Sequence, residues 1–368
     1  MLQDQIQDSI SNAIAAATRS QHWAKYTGEI IDNLREQLCQ AFNIGFVELC
    51  SSGTAALEIV LRAMKIGQDD EVLLSGYDYP GNFWAIERTG ARVALVDVAE
   101  GHWAIDPDSL EQAYSPNCRA VVVSHLHGQL QAIERLRTWC QEHGLLLIED
   151  ACQAIGATIE GKAAGTIGDA GIFSFGGGKV LSSGRGGAVV TNNPELAQRI
   201  RIAAGAGSGP YGLSQIQAAL VAAQLPYLVQ LNQHTRRYFA ELHARLSNMP
   251  LPFSFPASNT LEFAGFYQAG WMLRSPEIED NPIQINETTD SVFLGELVNR
   301  LRAMGINAGT GFAGFFRRSS RRCRISTALR NSTAAATRTF VLHHKLAFDQ
   351  AWPAERLAEA IGKLATRE

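Results

Sequence analysis

Between residues 46 and 150 the chain repeats one pattern: a short, mostly apolar run, then a polar or helical stretch, then another apolar run. The runs are FVELC (46–50), EVLLS (71–75), RVALVD (92–97), AVVVSH (120–125) and LLLIED (145–150), and a further one, AVVTN, follows at 188–192. Runs that lack a polar face predict strands buried on both sides. Helical stretches between them, notably 54–64 and 132–144, predict crossovers. Together they call for an α/β fold with a large, mainly parallel sheet covered by helices on both faces.

Other elements fill in around this core. Ile30, Ile31, Leu34, Leu38 and Phe42 recur at helical spacing and predict an early amphipathic helix. Helical patterns also cover 194–204 and 213–247, and Pro226 predicts a kink within the second. After residue 248 the Pro-rich passage MPLPFSFPASNT reads as a linker, and a less regular segment ends in helices near 291–304 and 353–365. Two domains are expected: 1–248, a large α/β domain with N-terminal helices, and 249–368, a smaller C-terminal α+β domain. At roughly 150 residues per domain, 368 residues allow about two.

Composition narrows the function classes. Lys and Arg number 32 against 36 Asp and Glu, a net charge of −4, which disfavours a dedicated nucleic-acid binder. The six cysteines contain no C-x-x-C pair, so neither a zinc site nor a redox motif is expected, and buried thiols in a reducing cytoplasm are. The N-terminus carries acids where a signal peptide needs positive charge, and no run of about 18 apolar residues occurs. A cytoplasmic protein without membrane contact is the expectation.

Three places put polar groups at the carboxyl ends of predicted strands, where open α/β sheets bind ligands. In SSGTAAL (51–57), Gly53 permits close backbone approach and the start of a helix suits a phosphate, although an ordinary capped turn has the same letters. In LLLIEDACQAIGA (145–157), Asp150 closes an apolar strand where a carboxylate needs a partner, and Gln153 follows three residues on. In GDAGIFSFGGGKVLSSGRGGAVVTN (168–192), Ser174 and Lys179 flank a triple glycine, and a lysine so placed is a candidate for a depressed pKa and imine chemistry. Neither G-x-x-x-x-G-K-[ST] nor a G-x-G-x-x-G after a first strand is present, which disfavours nucleotide-loop readings.

In order and spacing, these landmarks resemble the DegT-type, or sugar-nucleotide, aminotransferases, pyridoxal-phosphate enzymes of fold type I. The IQAAL and late VLHH segments add to the likeness, which runs from about residue 25 to the C-terminus. The resemblance implies that Lys179 forms the Schiff base with pyridoxal 5'-phosphate and carries a proton. It implies that Asp150 pairs with the ring nitrogen, that Gln153 bonds the ring 3' oxygen, and that Gly53, Thr54 and Ser174 hold the phosphate. Tyr79 falls where the family stacks an aromatic ring on the pyridine, and His127-Gly128 also matches a family pattern. The implied reaction moves an amino group from glutamate or glutamine to a keto sugar, probably nucleotide-linked, or a cyclitol ketone, in a homodimer with shared active sites.

Departures from the family pattern are equally visible. Pro210-Tyr211-Gly212 replaces an Asn-Tyr-Arg triplet, Arg185 stands where an acid is usual, and the loop before the lysine is Gly176-Gly177-Gly178. The cluster Arg317, Arg318, Arg321, Arg322 and Arg324 reads either as an anion-binding mouth or as surface charge, and Trp23 and Tyr26 as pocket or core aromatics. The competing readings are a pyridoxal-phosphate-dependent dehydratase, disfavoured because its relatives carry histidine at the lysine position, and a catalytically idle regulatory protein of the same fold.

Overall fold

The computed structural model describes residues 2–205, 209–254, 265–274 and 287–365. Two helices, α1 (Leu2–Arg19) and α2 (Glu29–Phe42), precede the sheet, and α2 buries Ile31, Leu34, Leu38 and Phe42 as its spacing requires. The chain then alternates: β1 (Phe46–Cys50), α3 (Gly53–Ala63), β2 (Glu71–Ser75), α4 (Pro80–Thr89), β3 (Arg92–Val96), α5 (Pro107–Ala113), β4 (Cys118–Ser124), α6 (Ile133–Glu142) and β5 (Leu146–Asp150). A two-stranded ribbon of β6 (Thr158–Ile159) and β7 (Lys162–Ala163) leads to β8 (Ala170–Ser174) and β9 (Gly187–Thr191).

Three further helices follow: α7 (Pro194–Ala204), α8 (Gln215–Gln224) and α9 (Leu228–Ser247). Each start has a chemical cause. Asn193 accepts the backbone N–H groups of Glu195 and Leu196 ahead of α7, and Ser214 with Gln217 forms a capping box on α8. Pro226 turns the expected kink into a break, a 3-10 turn over Leu225–Tyr227 that separates α8 from α9.

The C-terminal part supplies β10 (Phe253–Ser254), β11 (Gln268–Leu273), α10 (Glu287–Ala303), β12 (Ala308–Thr310), β13 (Cys323–Ile325), α11 (Arg330–Arg338), β14 (Thr339–His343) and α12 (Ala354–Ala365). Residues 255–260 of the expected linker lie outside the described residues.

The main sheet has eight strands in the order β1-β9-β8-β5-β4-β2-β3-β13, and β9 is its one reversed strand. It is thus the mainly parallel sheet expected from the sequence. Alternate strand residues enter opposite layers: Val72 and Leu74 pack toward α3 and α4, and Leu73 packs toward α5 and α6.

A second, antiparallel sheet, β10-β11-β14-β12, packs Trp271, Phe340 and Leu342 against Phe239 and Leu242 of α9 and Leu357 and Ile361 of α12. Its strands all come from residues beyond 248. Cys323–Ile325 leaves that region and pairs in parallel with β3 at the edge of the first sheet. Arg324 Nε there donates to Glu71 Oε1 at 2.8 Å and Nη2 to Oε2 at 2.6 Å, and Arg322 Nε donates to Glu87 Oε1 at 2.7 Å. Glu71 opens β2, so Arg324 sits at the amino end of the strands, away from the site described next.

Candidate active site

Four neighbouring parallel strands, β8, β5, β4 and β2, end side by side, and their carboxyl ends open onto a cavity of about 330 Å³. Gly53, Thr54, Tyr79, Asp150, Gln153, Ser174 and Lys179, the seven residues named from the sequence, all line it. Asn82, His125, Cys152, Tyr267 and Phe312 line it too, and sequence reasoning had not named them.

Asp150 ends β5 with its carboxylate held from two sides. Asn82 Nδ2 donates to Oδ2 at 2.8 Å, and the backbone N–H of Cys152 donates to Oδ1 at 2.9 Å. The preceding residue, Glu149, points to the opposite face, as strand alternation requires. There it is fully buried and accepts the backbone N–H groups of Gly165 (2.9 Å), Ile167 (2.7 Å) and Gly168 (2.6 Å). His125 Nε2 lies 3.2 Å from the same carboxylate, while His125 Nδ1 accepts the N–H of Gln131 at 3.1 Å, so the Nε2 proton goes to Glu149. One carboxylate thus ties down a loop, and its neighbour faces the cavity.

Lys179 reaches the cavity from the loop after β8. Its amine sits 3.8 Å above the ring of Tyr267, and burial lowers its pKa while Cys152 and Asp150 act in the other direction. A buried amine so placed spends more of its time unprotonated than a surface lysine does. Burial raises the Cys152 thiol well above its ordinary value, so it stays protonated.

The third corner is the turn into α3. Ser52 caps that helix by accepting the N–H of Ala55 at 3.0 Å, and Ser174 Oγ accepts the N–H of Gly176 at 3.2 Å. Gly53 has to be glycine: a Cβ there would meet Cys152 Sγ at 2.7 Å and Ser174 Cβ at 3.1 Å. Hydroxyls, two loop glycines and a helix start converge here, a setting suited to an anion.

Gln153 Oε1 accepts the N–H of His127 at 3.2 Å, and its Nε2 makes no hydrogen bond among the described residues. Tyr79 flanks the cavity, partly exposed, with its ring edge-on to Phe312 at 5.8 Å. His127 is a supporting residue outside the cavity: it is buried, neutral because burial pushes it down to about 3, and its Nε2 lies 2.9 Å from the Tyr77 hydroxyl. Tyr211, in the departed triplet, donates its hydroxyl to Glu58 Oε1 at 2.7 Å on its own chain. Trp23 and Tyr26 are exposed and line neither core nor cavity, and Arg185 is exposed beside the lysine loop.

The family model described as the DegT/DnrJ/EryC1/StrS aminotransferase family matches residues 4–352. Among curated relatives, GDP-perosamine synthase of Caulobacter vibrioides is 33% identical, covering 55% of this chain and 58% of its own. The "pleiotropic regulatory protein" of Geobacillus stearothermophilus is 34% identical over 52% of this chain and 54% of its own. L-glutamine:2-deoxy-scyllo-inosose aminotransferase of Streptomyces kanamyceticus is 33% identical over 64% and 61%. The matches thus span little more than half the length of these relatives. A solved structure of S. venezuelae DesV in complex with a ketimine intermediate superposes with a TM-score of 0.84 at 26% identity, covering 100% of this chain and 98% of that one.

Proposed function

The chain belongs to the DegT/DnrJ/EryC1/StrS aminotransferase family, and from that premise we propose that it is a pyridoxal-phosphate-dependent aminotransferase acting on a keto sugar or cyclitol ketone. The observation that carries the reading is the convergence of a buried lysine, a doubly held carboxylate and an anion-suited helix start on one cavity. The cofactor fits this donor set. Lys179 would hold its aldehyde carbon, Asp150 its ring nitrogen, and Gln153 Nε2 its ring hydroxyl. Ser52, Gly53, Thr54 and Ser174 would hold its phosphate, and Tyr79 would flank the ring. Bound there, pyridoxal phosphate supplies an aldehyde for the incoming amino group and a protonated ring that withdraws electrons from the carbon losing its proton.

The protein's share is positioning and proton transfer. Asp150 would stand as the counter-charge to the ring nitrogen, and Lys179, its basicity lowered by burial, would take and return the proton. The amino donor is proposed to be glutamate or glutamine. The chain is proposed to work as a homodimer, as the resemblance to the family implies. A reducing cytoplasm suits six cysteines that all stand free among the described residues.

The test is the visible spectrum of the purified protein with added pyridoxal phosphate, before and after glutamate or glutamine. A band that the amino donor bleaches, and that Lys179→Ala lacks, supports the reading. A protein that takes up no cofactor sinks it. The regulatory reading is favoured by one relative's name, and a band that is stable to every amino donor would select it.

A further inference from the structure

After β2 the chain enters the site through Gly76, Tyr77 and Asp78, and the Asp78 carboxyl comes to rest beside that of Asp150. Both residues are buried, with exposures of 1% and 4%. Two side chains bridge them. Asn82 Nδ2 lies 3.2 Å from Asp78 Oδ1 and 2.8 Å from Asp150 Oδ2, and Ser124 Oγ lies 2.7 Å and 3.4 Å from the same two atoms. Asp78 Oδ1 also accepts the N–H of Tyr79 at 2.6 Å, whereas Oδ2 is buried and meets no hydrogen-bond partner among the described residues.

Two facts make a doubly charged pair unfavourable. The carboxyls share their donors at close range and are both buried, where like charges repel strongly. Ser124 has one hydroxyl proton and cannot serve both acids at once.

We propose that Asp78 is a protonated positioning residue of the active site, its carboxylic proton on Oδ2, the oxygen that meets no donor among the described residues, while Oδ1 accepts from Ser124, Asn82 and the Tyr79 backbone, so that the two acids carry one negative charge between them. Asp150 then receives donors from Asn82 and the Cys152 backbone, one on each oxygen, and is the member that holds the charge.

The surroundings agree. Burial pushes Asp78 up to about 8 and the charge of Asp150 adds to this, while the Ser124, Tyr79 backbone and Asn82 donors pull the other way without cancelling it. The other titratable groups nearby supply no counter-charge to Asp78. Tyr77 and Cys152 are raised by burial and stay neutral, Lys179 is lowered and faces Asp150, and Glu149 points to the opposite face against His125.

What Asp78 does for the cofactor rests on the functional reading above; the count of protons on the pair does not. The deciding experiment is therefore carbon-13 NMR of cofactor-free protein labelled at its aspartate carboxyls, titrated from about pH 4 to about pH 10. One aspartate is expected to stay protonated through neutrality and to titrate near 8. That signal is expected to disappear in Asp78→Asn and to move to lower pH in Asp150→Asn, where the neighbouring charge is gone. Wild-type protein in which every aspartate has ionised by about pH 6 overturns the proposal, as does a late signal that survives Asp78→Asn. If Asp78→Asn does not fold, the wild-type and Asp150→Asn titrations decide the question between them. Failure of the wild type to take up pyridoxal phosphate would sink the aminotransferase reading and leave this result standing.

Discussion

The amine of Lys179 lies 3.8 Å from the ring centroid of Tyr267, so a loop of the main sheet meets the residue just before β11 of the second sheet at the most reactive atom of the site. The ring excludes water from one side of the amine and still tolerates its charge. Tyr267→Phe preserves that face and is expected to bind pyridoxal phosphate nearly as wild type does. Tyr267→Ala opens that face of the amine to water, lets its pKa return toward the ordinary lysine value and is expected to weaken binding at neutral pH, as read by absorbance titration.

Glu149 and Asp150 are adjacent in sequence and opposite in role, and their isosteric variants separate the two. Glu149→Gln removes the charge that three backbone N–H groups and His125 share. It is expected to cost about 3 kcal/mol of stability by denaturant titration while leaving the pH dependence of the cofactor spectrum in place. Asp150→Asn is expected to alter the cofactor spectrum and its pH dependence, which Glu149→Gln leaves in place.

Asn82 donates to Asp150 at 2.8 Å and is the side chain that ties α4 to β5. Asn82→Ala removes a hydrogen bond to a charged acceptor, worth about 1.5–3 kcal/mol. Loss of cofactor affinity by about ten- to a hundredfold is expected from equilibrium dialysis, and an unchanged affinity would show that Asp150 needs no such support.

The strands were legible because a two-faced buried strand leaves a continuous apolar run. Phe46–Cys50 and Glu71–Ser75 match their runs residue for residue. Gly53, Asp150, Gln153, Ser174 and Lys179 were legible because they lie at or just after strand ends and in a glycine turn, whereas Thr54 and Tyr79 were named from the family resemblance alone. Asp78 and Asn82 were not legible: YDYPGN has the composition of a solvent turn, and only the strand order brings it against the ends of β4 and β5. β13 was hidden for a related reason. The arginines in and before it look like surface charge, while Cys323 is buried and Arg324 is spent on Glu71.

Three histidines give stability an acid limit. Burial lowers His127 to about 3, His343 to about 4 and His344 to about 3. The unfolded chain takes up these protons near pH ~6.5, and the folded chain does so only far below that. Between those values the unfolded state binds more protons, so stability is complete above about pH 6.5 and is lost as pH falls toward 4. Melting temperatures measured across that window are expected to fall, and His343→Gln with His344→Gln is expected to flatten the slope.

Gly128 adopts φ +90°, and a Cβ on it would stand 2.1 Å from the Phe266 ring. Gly128→Ala combines a left-handed backbone with overpacking and is expected to cost about 3 kcal/mol, measured as a shift in denaturation midpoint. A loss below about 1 kcal/mol would mean that Phe266 gives way freely.

The return of Cys323–Ile325 to the first sheet sets the order of assembly. Val93 is made about 230 residues before Cys323, its partner across the strand pair. On a growing chain the edge of β3 therefore stands open, and the Glu71 carboxylate lacks Arg324, until residues 323–325 have been made, while β14, the strand that joins β11 to β12 in the second sheet, is still to come. An open strand edge presents unpaired N–H and C=O groups to which another chain can add. The same short strand that closes the edge of the first sheet thus decides when that edge stops being open to a neighbouring chain.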